Sequence, residues 1–208
     1  MKHFHRKLSS HDLKERITWS IILFVIIFFS TTIISYFILP EGIFKNKNPL
    51  QLWNTSNNIF ILTLQIFFYN LLSVIIIIFS SLFGSKKKNE ENYISVGYTV
   101  FYTLILINAI VLGTWSFSIV VNTVPLLKRV IGIFDIIHRA ALWEMFGQLL
   151  ITCAIAHISI IRICGKDTEK RGIKEIRLTK HEKIVFILGV IFMLVGAIIE
   201  SIAISRLG

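Results

Sequence analysis

The chain has 208 residues, 54% hydrophobic and 16% charged, with a formal net charge of +10. Charged residues make up about a quarter of an ordinary soluble domain, so the composition excludes one, and the mean hydropathy of +0.73 agrees. The positive balance implies contact with anionic lipid headgroups and excludes nucleic acid as the expected partner, because no aromatic-basic motif accompanies the Lys and Arg residues.

The first long element is "ITWSIILFVIIFFSTTIISYFIL" at 17–39, uncharged throughout. About 20 such residues cross a bilayer, and the run is too long for a cleaved signal. Ser9 and Asp12 offer a start for a short amphipathic lead-in. Further spans are expected at 58–83, 94–121, 140–163 and 183–204. The second is stopped by Gly84 and Lys86 to Lys88, and the fifth is opened by the T-x-x-E capping pattern of Thr179 and Glu182. The expected fold is therefore all-α: a polytopic membrane helix bundle of five transmembrane helices, forming a single integral membrane domain over 1–208.

Sixteen Lys and Arg residues fall in the N-terminal tail and the second and fourth loops, against six in the first and third loops and the C-terminus. The positive-inside rule then places the N-terminus in the cytoplasm and the C-terminus outside. The third loop, "NTVPLLKRVIGIFDIIHRA" at 122–140, is too apolar for open solvent. Its Leu126, Leu127, Val130, Ile131, Phe134 and Ile137 recur at helical spacing, with Lys128, Arg129 and Asp135 mostly off that face. The spacing predicts a short helix after Pro125, either interfacial or re-entrant.

Polar residues inside the spans are the candidate functional groups. Asn70 and Asn108 fall near mid-span; Glu144 and Glu200 share a depth about 10 Å from the midplane at 1.5 Å per residue. A carboxylate at depth costs about 2.5–3.5 kcal/mol and must face the bundle or a wet cavity. Asn70, Asn108 and Gln148 read either as interhelical glue or as the lining of a polar cavity. Glu144 favours the functional reading, whereas Glu200 is expected to pair with Arg206. Small residues recur every seven positions, at Ala140, Gly147 and Ala154 and again at Gly189, Gly196 and Ala203. They predict close packing of the fourth span on the fifth, with a homo-oligomeric seam as the alternative.

Cys153 and Cys164 lie eleven residues apart on one expected helix and cannot pair with each other. No zinc-protease, serine-hydrolase or phosphate-loop pattern is present. No enzyme activity, metal or cofactor is expected.

Three stretches carry a family likeness: "IFFYNLLSVIIIIFSSLFG" (66–84) with Asn70, "ILINAIVLG" (105–113) with Asn108 and Gly113, and "HRAALWEMFGQLL" (138–150) with His138 and Glu144. Together they resemble the stage II sporulation protein M family over roughly residues 55–160. The resemblance implies a non-enzymatic component of a bacterial cell membrane, with Asn70, Asn108, Gly113 and Glu144 as the matching positions and Gly113 as a packing residue. It implies other membrane subunits or a cytoplasmic ATPase as partners, in bacteriocin export or self-immunity or in an engulfment complex. The short chain, Ala109 where the family commonly has Gly, and Arg139 after His138 favour export or immunity.

Overall fold

The structure is a computed structural model that describes residues 2–45, 47, 56–86, 92–116, 125–132 and 136–206, with the backbone alone for 2, 3 and 136–139. Helices α1 (Lys2–Leu8), α2 (Leu13–Ile38) and α3 (Ile59–Ser81) come first, followed by strands β1 (Phe83–Lys86) and β2 (Ile94–Ser95). Then come α4 (Val96–Gly113), α5 (Leu126–Gly132), α6 (Ile136–Ala154), β3 (Ile161–Cys164), β4 (Asp167–Lys170) and α7 (Lys180–Ser205).

The long helices begin where a polar side chain can take up the first unpaired backbone N–H groups. Asp12 accepts from Lys14, Asn58 from Phe60 and Ile61, and Ser95 from Gly97. Thr179 and Glu182 form a reciprocal capping box at α7. Inside these helices the Ile, Phe and Leu runs cannot serve water, so the backbone bonds close within each helix.

Among the described residues, four helices are long and apolar enough to cross a membrane: α2, α3, α4 and α7. The fourth expected span differs. Helix α6 ends at Ala154, before the expected boundary at 163, and 161–163, expected as the end of that span, belongs to strand β3. α6 is also the innermost helix: Leu149, Ile151, Thr152, Cys153 and Ala154 are all fully buried, which is why it tolerates Glu144 and Gln148. The third helix stops at Gly113, eight residues short of the expected end; Thr114 caps it and Trp115 follows with φ 51°. Residues 117–121 of that expectation and 122–124 and 133–135 of the third loop lie outside the described residues.

Successive long helices alternate in direction. Gly42 N–H donates to the Thr114 carbonyl at 2.7 Å, so α2 and α4 end together. Thr63 and Ser201 join the start of α3 to the end of α7 through hydroxyls 2.6 Å apart. Phe24 meets Phe146, and the Cys153 thiol donates to Ser20 at 3.2 Å, which sets α6 antiparallel to α2.

The all-α expectation is corrected at one end. A four-stranded sheet of order β2-β1-β3-β4 joins the second and fourth loops. β1 pairs parallel with β3, Gly84 opposite Arg162, and β3 turns back on β4 through Gly165 at φ 64°. Positive φ at the first residue of a two-residue hairpin turn is the glycine signature. Gly84 and Lys86, expected to stop the second span, instead lie in β1, and nothing in the local sequence announces this pairing.

The short helix expected after Pro125 forms as α5, with its apolar face turned outward and Arg129, off that face, turned inward. Leu127 is 70% exposed and Ile131 55%, whereas Arg129 is only 5% exposed. Arg129 donates to the Gly113 carbonyl at 2.5 Å, pairs with Glu41 and lies over the rings of Tyr36 and Trp115. A buried guanidinium needs several acceptors at once, and the end of α4 supplies them.

Candidate functional site

The candidate site lies where α3, α6 and α7 meet. The α6–α7 contact is the most extensive between helices, and glycine makes it possible. A Cβ on Gly147 would lie 2.5 Å from the Gly189 carbonyl oxygen, and one on Gly189 would lie 2.7 Å from the Gly147 carbonyl oxygen. About two turns further along α7, a Cβ on Gly196 would meet the Glu144 Cγ at 2.7 Å. The Glu144 stem thus crosses α7 in the notch that Gly196 leaves. Ala154 is fully buried, and Gly113 packs in the same manner against α2, 2.5 Å being left between its added Cβ and the Thr32 carbonyl.

In that notch the Glu144 carboxyl faces the carboxyl of Glu200 on α7 and the amide of Asn70 on α3. Gln148, one turn along α6, is 6% exposed. Neither Glu144 Oε1 nor Gln148 Oε1 meets a hydrogen-bond donor among the described residues. Four of the five polar residues singled out from the sequence, Asn70, Glu144, Gln148 and Glu200, therefore stand on neighbouring turns of three helices.

Asn108 does not join them. It is exposed on α4, whose buried face is Tyr98, Phe101, Tyr102, Ile105, Ala109 and Leu112. At 100° per residue that face is complete without it, and Ala109 takes the close approach. The expected Glu200–Arg206 pair is also corrected: Arg206 is exposed and makes no ion pair among the described residues, and Glu200 turns to Glu144. The side chains of His138 and Arg139 lie outside the described residues.

Sequence reasoning counted Arg16 only toward the charge of the N-terminal tail. It is 1% exposed, donating to Glu182 at 2.6 Å and to the Ser10 carbonyl at 3.0 Å. The signal was available: an arginine inside the first turn of the first span, and a capping glutamate on the fifth. Burying both requires the pair, since a lone buried charge costs several kcal/mol. Chemically, the three-helix cluster offers two carboxyls and two amides in an apolar wall. It can hold a proton or a polar group at depth, and it contains no nucleophile–base pair.

Comparison of the chain with protein-family models, curated proteins and solved structures finds no match to any of them.

Proposed function

We propose that this chain is a non-enzymatic multi-pass membrane protein of a bacterial cell membrane, acting as the membrane subunit of a transport assembly. Export of, or self-immunity to, a bacteriocin, with the energy supplied by a separate ATPase, is the role favoured. The observation that carries it is the Glu144–Glu200 carboxyl pair on α6 and α7, faced by the Asn70 amide on α3, with the buried Gln148 one turn along α6. Ionisable groups at depth are costly, and where they occur they mark pathways for polar cargo or protons. In this reading α6 is the fourth of five traverses. Its 19 residues reach about 28 Å at 1.5 Å per residue, close to a hydrocarbon core of about 30 Å. Five alternating traverses put the two termini on opposite faces, and the Lys and Arg bias of the loops favours the N-terminus in the cytoplasm and the C-terminus outside.

The engulfment-scaffold alternative would use the glycine seams for partners. Gly147, Gly189 and Gly196 are already filled by α6–α7 contact within the chain, which supports the transport reading over it.

Glu144→Gln keeps the shape and removes the ionisable carboxyl. In a host carrying the neighbouring genes, the variant is expected to reach the membrane at normal levels and to lose about tenfold or more of export or resistance to the cluster's peptide, a loss on the scale of one charged hydrogen bond. Full activity at normal abundance overturns the proposal.

A further inference from the structure

At the end of the bundle that carries the sheet, the starts of α2 and α7, the turn after α6, strand β3 and the lead-in to α7 enclose a cavity of about 320 Å³. Arg16, Arg162, Arg171 and Arg177 line it, and Glu182 is its one carboxylate among the described residues. That carboxylate is already committed, to Arg16 and to the Thr179 cap. Arg171 is held by the Glu175 carbonyl at 2.7 Å and faces its carboxylate at 3.6 Å. Arg177 makes no ion pair among the described residues. Positive charge is therefore in excess inside the cavity.

Hydrogen-bond donors are in excess as well. Tyr93 is 6% exposed and carries the Arg162 guanidinium over its ring at 4.2 Å. The Tyr93 hydroxyl, Arg16 Nε and Arg162 Nε are all buried, and no acceptor among the described residues meets them. Buried polar atoms in proteins almost always have partners. His157, past the end of α6, has its imidazole held down to about 4 by burial, then by Arg16 and His11. It is neutral at pH 7 and donates from Nε2 to the Ser10 carbonyl, 3.2 Å away.

We propose that this cavity binds a phosphate group, presented either by an anionic lipid headgroup or by a small soluble phosphate compound. The guanidinium fork matches phosphate oxygens in geometry and charge, and the volume sits at the low end for small-ligand sites. Three arginines of the fourth loop converge here with Arg16 from the start of α2, which a charge run confined to one loop does not produce. The proposal is independent of the carboxyl cluster and of the transport reading.

The test uses the full chain purified in detergent. One arm titrates inorganic phosphate by calorimetry; the other measures retention of phosphatidic acid against phosphatidylcholine by native mass spectrometry. Saturable binding in either arm is expected, and the arm that responds names the source. Arg162→Gln with Arg177→Gln is expected to weaken binding about tenfold or more, while Lys174→Gln with Lys180→Gln, on exposed lysines outside the cavity, stays within about twofold. Arg177 is exposed, so Arg177→Gln alone is expected to fold and to weaken binding about threefold or more. No saturable binding in either arm overturns the proposal. So does equal weakening by the lysine variants, or unchanged affinity in Arg177→Gln.

Discussion

Replacing Gly147 by alanine tests the α6–α7 packing that builds the candidate site. The new methyl would sit 2.5 Å from the Gly189 carbonyl oxygen and 3.1 Å from the Met193 backbone nitrogen. Ordinary contact needs about 3.5 Å, so the helices must separate by about 1 Å. The flexible Met193 side chain, with its Cγ at 2.6 Å, can move aside, but the two backbone atoms cannot, and no rotamer change removes them. Overpacking of this kind costs about 1–3 kcal/mol, and a clash against backbone belongs at the upper end. Alanine's helix propensity returns about 1 kcal/mol. The net is about 2 kcal/mol, or about 4–8 °C for a chain of this length. Thermal unfolding in detergent, followed by circular dichroism, reads it directly. Gly172→Ala is the control: its Cβ would come nearest the flexible Glu175 side chain, at 3.2 Å, and it should change stability by no more than about 0.5 kcal/mol. A Gly147→Ala protein melting at or above the unmodified temperature refutes the described α6–α7 contact.

Asn108→Leu is expected to leave unfolding in detergent unchanged or slightly improved, because the side chain is exposed on an apolar helix face; a drop of about 2 kcal/mol, the size of a lost buried amide bond, would show that Asn108 faces the bundle after all. The His157 imidazole, held near 4 in the fold against about 6.5 when unfolded, makes stability depend on pH. Between those values the unfolded chain binds the proton more readily, so the contribution is complete above about pH 6.5 and falls by about 3 kcal/mol as pH drops toward 4. Melting temperatures at pH 7 and 4.5 should therefore diverge more for the unmodified chain than for His157→Gln, and an identical pH dependence in the two removes the assignment.

The helices were legible in the sequence to within a few residues wherever a polar cap met a long apolar run, as at Asp12, Asn58 and Thr179. The glycines of the α6–α7 seam were legible too, because close approach demands a missing side chain at a fixed period. The site was legible less completely. A single helix pattern gives depth but not azimuth: Asn70 and Asn108 share a depth, yet only Asn70 faces Glu144.

Local composition determined that this chain forms long apolar helices with basic connectors, because lipid-like runs and capping residues act within a few positions of themselves. The tertiary structure alone decided which side chains meet. The parallel pairing of β1 with β3 joins residues far apart in the chain, Arg129 turns inward to carbonyl and ring partners on other elements, and Glu200 faces Glu144 instead of Arg206. Each of these depends on where a second segment ends up in space, and a charge buried against such a partner leaves no periodic trace in its own neighbourhood.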